Sequence, residues 1–284
     1  MRLESDGLTF RAIQVDGEAN FCTSDDLWSR PVNFANAPDG CLHVCDMYRE
    51  VIEHPWSIPD DIHAALDLLR GRDRGRIFRL APRGFRTSAT PKLSQASTAD
   101  LVGLLDHANG WHRDTAARLL FERQDQTAVE PLRRMARDGK NPEGRGGALR
   151  ALQGLGFFGR GPGSDLRSAD RLTKRGDSAE PWEWLDDVGL DREAFGLLLE
   201  SAQDGDANVR RLAVQISPGA LFAPRDIGEM YEMRADAKRL LTDPDERVVI
   251  EAILSHAEIW SPAVFPELGG VCIAHRGFFV SVPE

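Results

Sequence analysis

Long apolar runs are missing from this chain: no stretch approaches the ~20 consecutive apolar residues that a helical membrane span requires. Met1 to Phe10 offers neither a basic n-region nor an apolar h-region, so no export signal is expected in the sequence as written. Cysteine is scarce. Cys22, Cys41, Cys45 and Cys272 are too few and too scattered for a disulfide framework, and none stands in CxxC or CxxCH, which excludes a thioredoxin-type dithiol and a c-type haem attachment point. The redox compartment stays open. Positive charge is in deficit as well, with 35 Lys and Arg against 45 Asp and Glu and a net charge of -10. A phosphate-binding face needs clustered cations, so a nucleic-acid partner is not expected. Arginines are frequent but interleaved with acids, as from Arg70 to Arg79 and Arg133 to Asp138, in the manner of solvated ion pairs.

What is present suits two domains of different period. With 284 residues, 42% of them hydrophobic, the chain can bury two cores. Leu8 to Val15 alternates with one phase break at Ala12 and Ile13, which predicts a strand with a bulge. Val32 to Ala35 and Cys41 to Met47 read as paired strands across Ala37-Pro38-Asp39-Gly40, where proline sets the second turn residue and glycine permits positive φ at the fourth. Gly75 to Leu80 reads as another strand. Between them Ser57 is placed to cap a helix over about Pro59 to Leu69, with Asp60 and Asp61 in its first turn. The segment from Ala81 to Ala96 lacks periodicity and reads as a linker.

Beyond it the spacing becomes helical. Ser97 and Asp100 form a capping pair ahead of Leu101, Leu104 and Leu105. Helices are predicted over Trp111 to Gln124, Thr127 to Asp138, Pro142 to Gly154, Asp191 to Asp204, Asp206 to Ile216 and Asp243 to Ile259. Three of them open alike, with Arg113 before Ala116 and Ala117, Arg210 before Ala213, and Arg247 before Ala252. Val209 and Val248 lie 39 positions apart, a spacing suited to two-helix repeats of the HEAT type. Small alanines let paired helices approach closely. A mobile loop is expected over 156–180. The apolar tail after Arg276 has no evident partner.

One string is more specific than these patterns. Arg30-Pro31-Val32-Asn33-Phe34-Ala35-Asn36-Ala37-Pro38-Asp39-Gly40, continued by Asp46-Met47-Tyr48-Arg49-Glu50-Val51-Ile52-Glu53-His54-Pro55-Trp56-Ser57-Ile58-Pro59 and by Gly71-Arg72-Asp73-Arg74-Gly75-Arg76-Ile77-Phe78-Arg79-Leu80, resembles the large membrane-bound dehydrogenases of planctomycete-type bacteria. The propeller of that family is similar to sorbosone and soluble glucose dehydrogenases. The likeness continues faintly through Asn109 to Ala116 and Phe121 to Gln124. It implies a six-bladed propeller followed by HEAT-like repeats, PQQ with Ca²⁺ as propeller cofactor, haem c in many relatives, and export to the periplasm. Too few strands precede the linker here for more than one or two blades, and no CxxCH follows the helices. The expected fold is therefore α+β multidomain: partial propeller blades over 1–81, a linker over 82–96, a HEAT-like helical solenoid over 97–276 and a tail over 277–284. The corresponding function is a fragment of a sugar-dehydrogenase-like protein whose repeats dock another protein and which is inactive alone; the alternative is a non-enzymatic HEAT-repeat scaffold.

The candidate site lies in the same string. Asp46, Arg49, Glu50 and His54, with Glu53, form the densest titratable group. They fit either a propeller-mouth site, in which Arg49 binds an anion and His54 or Asp46 moves a proton, or an ion-pair network joining strand to helix. Arg30 and Asn33 line a channel or bond a neighbouring blade's backbone. Cys41, His43 and Cys45 share one strand face, but residues four apart on a strand are about 13 Å apart, too far for one metal ion, so packing is expected. Trp56 and Trp111 are read as packing anchors, Arg74, Arg76 and Arg79 as a solvated strand edge, and Gly159 to Gly163 as no phosphate loop.

Overall fold

The computed structural model describes residues 2–7, 9–86, 91–159, 192–216 and 239–258. Most of the loop expected over 156–180, the Gly161 to Gly163 stretch and the tail after Arg276 lie outside the described residues. The architecture is mixed α and β, with two small sheets and eight α-helices among the described residues. No helix among them is long and apolar enough to cross a membrane. The chain divides into two units: Met1–Leu3, Ala12–Lys92 and Asn109–His112 form one, and Glu4–Arg11, Leu93–Ala108 and Arg113–Glu284 the other.

β1 (Arg2–Asp6) pairs with β2 (Thr9–Ile13). Sequence periodicity finds β2 but not β1, where only Leu3 is a large apolar residue. β3 (Pro31–Asn36), β4 (Leu42–Asp46) and β5 (Arg76–Leu80) make a three-stranded antiparallel sheet in that order. The turn between β3 and β4 closes as its residues dictate. The Gly40 amide donates to the Ala37 carbonyl at 2.9 Å, Asp39 Oδ1 accepts the Cys41 amide, and Gly40 takes a φ of 83° that a side chain would resist. The ladder places Phe34 opposite Val44 and Val44 opposite Phe78, with Asp46 opposite Pro31 and Arg76. Side chains alternate across a sheet, so these residues share one face, and Asn33, His43, Cys45, Ile77 and Arg79 share the other. Both faces carry exposed apolar groups: Phe34 is 61% accessible and Ile77 68%.

The helix expected from Pro59 to Leu69 shrinks to one turn, α1 (Asp60–His63). Ser57 does not cap it, because Ser57 ends a preceding 3₁₀ turn (Pro55–Ser57); Pro59 stands at the cap position without a side-chain bond. Trp56 is 94% accessible, so it is no packing anchor here.

The helical unit starts at the Ser97 to Asp100 box, in which the Asp100 amide donates to Ser97 Oγ and the Ser97 amide to Asp100 Oδ2, both at 3.1 Å. α2 (Thr98–Leu104), α3 (Gly110–Arg123), α4 (Val129–Asp138), α5 (Pro142–Gly154), α6 (Arg192–Ser201), α7 (Ala207–Ile216) and α8 (Glu246–Glu258) follow. α4 packs on α5 and α6 on α7. Between these pairs α4 meets α6, α5 meets α7, and α7 meets α8, so first helices lie beside first helices and second beside second. Leu101, Leu132, Leu149, Leu198 and Val248 are fully buried in one continuous core. Burying each such side chain is worth about 1.5–3 kcal/mol. Ala116, Ala148, Ala213 and Ala252 have no accessible surface, as close helix approach requires.

A ladder of arginines ties the pairs together. Arg145 on α5 bonds back to the Gly139 carbonyl in its own turn and forward to both carboxylate oxygens of Asp204, at 2.7 and 2.8 Å. Arg210 on α7 repeats this, bonding back to the Asp204 and Gly205 carbonyls and forward to Asp243 at 2.7 and 2.8 Å. Each acid also accepts a turn amide, Asp206 N–H on Asp204 and Asp245 N–H on Asp243. Arg247, which opens like Arg210 in the sequence, turns instead to Asp245 beside it.

Candidate functional site

Asp46 ends β4 and is the organising group of the sheet unit. Its side chain has no accessible surface. A carboxylate withdrawn from water needs several donors, and four surround it: the Arg30 amide at 2.7 Å and the Tyr48 amide at 3.0 Å on Oδ1, and the Ser29 hydroxyl at 3.1 Å and Arg76 Nε at 3.0 Å on Oδ2. Desolvation pushes its pKa up, but the bonds from Arg30, Arg76, Tyr48 and Ser29 outweigh it and hold the group below its ordinary value. It stays a carboxylate through the neutral range.

Arg76 reaches Asp46 because β4 and β5 are in register at that pair, and its other arm bonds Asp26 at 3.1 Å. Its guanidinium lies over the rings of Tyr48, at 4.4 Å, and Phe78, at 5.0 Å. Tyr48 follows Asp46 in a left-handed backbone conformation with φ 54°, which costs a side-chain-bearing residue about 1–2 kcal/mol. The Asp46 bond, Arg49 Nη1 on the Tyr48 carbonyl at 3.0 Å, and the close approach of Gly71 hold it there. A Cβ on Gly71 would stand 2.7 Å from the Tyr48 carbonyl oxygen.

The candidate residues do not all converge. Arg30 gives its amide to Asp46 and its guanidinium to the carbonyls of Leu27, Ser29 and Glu50. Glu50 is paired in turn with Arg70 at 3.1 Å, so Asp46, Arg30 and Glu50 belong to one network. Arg49 bonds the carbonyls of Met47 and Tyr48. Asn33 turns to the Phe34 amide at 2.7 Å, and exposed His54 uses Nδ1 to accept the Trp56 amide at 3.3 Å. No bond among the described residues joins Asn33 or His54 to Asp46. The sequence reading missed Ser29, Asp26, Arg70 and Arg76 as members of the network. Arg76 and Arg79 lie on an outer strand, yet both are engaged: Arg79 bonds Asp39 at 2.8 Å and Cys41 Sγ at 3.4 Å.

Chemically, Asp46 is a spent group, with its oxygens committed to donors that move only if the loop moves. A cavity of about 620 Å³ lies beside the Glu50 to Arg70 pair, lined by Trp28, Asp67, Arg70, Gly71, Arg72 and Arg74. Cys22, Cys41 and Cys45 carry free thiols, and among the described residues no group of three or more His, Cys, Asp or Glu side chains gathers as metal ligands would.

Residues 1–84 match a family described as Domain of unknown function (DUF7133). No curated protein matches the chain. Twelve chains of solved structures do. One is the crystal structure of an engineered protein from the Northeast Structural Genomics Consortium, 19% identical over 66% of this chain and 91% of that one, with a TM-score of 0.29.

Proposed function

We propose that this chain is a docking scaffold: HEAT-type helical repeats carried behind part of a propeller of the sorbosone and glucose dehydrogenase kind, with no turnover of its own. The observation that carries the reading is the arginine ladder. Arg145 to Asp204 and Arg210 to Asp243 repeat the same backward and forward bonds from one helix pair to the next, which is how identical units stack in a solenoid. Stacked pairs bury a continuous core and present successive second helices as one extended surface. That surface suits a protein partner.

The sheet unit supports the second half of the proposal. A propeller blade has four strands and is covered on both faces by its neighbours, and here a three-stranded sheet exposes Phe34 on one face and Ile77 on the other. The four donors on Asp46 leave it no role as a base. PQQ, Ca²⁺ and a sugar substrate belong to the complete propeller in this reading. The test is direct: the purified chain, incubated with PQQ, Ca²⁺, glucose or sorbosone and an artificial electron acceptor, is expected to reduce no dye. Sustained reduction dependent on sugar and PQQ contradicts the proposal.

A further inference from the structure

Trp56, 94% accessible, is the most exposed large apolar side chain among the described residues, and its backbone is fixed. Pro55 and Pro59 bracket it, the Ser57 amide donates to the His54 carbonyl at 2.8 Å, and the Ile58 amide donates to the Pro55 carbonyl at 3.2 Å. His54 accepts the Trp56 amide on Nδ1 and stands edge-on to the indole, with ring centres 5.9 Å apart. Exposed Ile52 and Ile62 lie in the same short segment. An indole held out on a preformed turn loses little conformational entropy on docking, and tryptophan is among the residues that anchor protein interfaces.

Charge is divided sharply around this turn. Residues 51–69 hold four acids, Glu53, Asp60, Asp61 and Asp67, and no Lys or Arg; residues 70–86 hold seven arginines and one acid, Asp73. The two stretches are neighbours in the chain, yet no ion pair joins them among the described residues. Arg70 is engaged with Glu50, Arg76 with Asp26 and Asp46, and Arg79 with Asp39. The side chains of Arg72 and Arg74 make no hydrogen bond or ion pair among the described residues. Those two arginines line the cavity of about 620 Å³ together with Trp28, Leu69 and Arg70. Guanidinium planes stack on indole rings, so a recess walled in this way suits a tryptophan side chain.

We infer that a second copy of this chain fills the cavity: Trp56 of each copy enters the arginine-lined recess of the other, with Asp60 and Asp61 facing Arg72 and Arg74 across the contact. The inference goes beyond the docking surface of the helices and stands apart from it. Because turn and recess lie within one short stretch of chain, two copies can exchange both contacts about a twofold axis, which closes the assembly at a dimer. The indole supplies the affinity, and charges at the rim choose the partner and steer its approach. A net charge of -10 on each copy opposes association elsewhere, so the dimer is weak.

Sedimentation velocity of the full chain over about 1–200 μM, in about 150 mM salt, tests this. Expected is a monomer to dimer equilibrium with a Kd of about 10–100 μM that weakens as salt rises, and association at least about tenfold weaker in W56S. D60K/D61K and R72E/R74E should each stay monomeric alone, since like charges then face each other. Their equimolar mixture should dimerise within about threefold of the parent, because both reversed contacts are matched there. Melting temperatures of both variants should match the parent, as none of the four side chains is bonded within its own copy. A parent that stays monomeric to about 200 μM or grows beyond the dimer overturns the inference. So does W56S that dimerises like the parent, either charge variant that dimerises alone, or a mixture no more associated than its components. The stacked-repeat reading fails separately, through a ladder variant D204N that melts like the parent.

Discussion

Replacing Asp204 by Asn interrupts the ladder while preserving size. Asp204 takes both arms of Arg145 and the Asp206 amide, and the two side chains keep 16% and 11% of their accessibility. Removing one partner from a fully buried pair costs about 3–5 kcal/mol. Residual exposure reduces that, and the asparagine oxygen can still accept the Asp206 amide, so about 2–3 kcal/mol is expected. For units of this size each kcal/mol is worth roughly 2–4 °C, giving a melting temperature lower by about 5–10 °C. The pH dependence has a definite sign. Burial raises the Asp204 pKa, but the bonds from Arg145 and Asp206 and the charges of Arg145 and Arg210 bring it below 3.8. A carboxyl group depressed on folding gives its full stabilisation above the unfolded value of about 3.9 and loses it as pH falls through the lower folded value. The gap between parent and D204N should therefore be constant above about pH 5 and close in more acid solution. A shift under about 1 °C by calorimetry, or a gap that widens in acid, refutes the reasoning.

In the sheet unit, D46N turns an amide N–H₂ toward Arg76 Nε and the Ser29 hydroxyl, and should cost about 2 kcal/mol, read as at least about tenfold faster hydrogen exchange in peptides spanning 29–48. Gly71→Ala adds a Cβ 2.7 Å from the Tyr48 carbonyl at a φ of 89°, whereas Gly84→Ala, at φ 79°, meets nothing within 4 Å. Urea titration should show G71A losing more stability than the roughly 1–2 kcal/mol of backbone strain common to both, and equal losses would count against the packing described for Tyr48.

Local features were legible in the sequence. The Ala37 to Gly40 turn and the Ser97 to Asp100 box depend on neighbours within four positions, and the pairing of β3 with β4 followed from the turn between them; Gly75 to Leu80 was legible as a strand, but its pairing with β4 was not. The helices also lie close to where their periodicity puts them, because a one-sided stripe has only one way to be buried. Features that depend on distant residues were not. The contact of Arg76 with Asp46 spans 30 positions and exists only in one strand register. The equivalence of Arg145 with Arg210 was hidden by sequence between the pairs, and Arg247 imitated it while serving its own turn; the recurrence of Arg-x-x-Ala at 113–116, 145–148 and 210–213 was the signal available. Helix α1 was overextended because Pro55 starts a 3₁₀ turn that consumes Ser57. Trp56 was assigned to packing from its size alone, and it stands in solvent.

The central claim is that helix pairs are coupled through the arginine ladder and form one stacked body. Hydrogen exchange by mass spectrometry on the full chain, parent against D204N, tests it most directly. Faster exchange in both α4–α5 and α6–α7, with peptides of β3 to β5 unchanged, is the predicted result. Acceleration confined to the few residues around Asp204, or spread equally into the sheet, contradicts it.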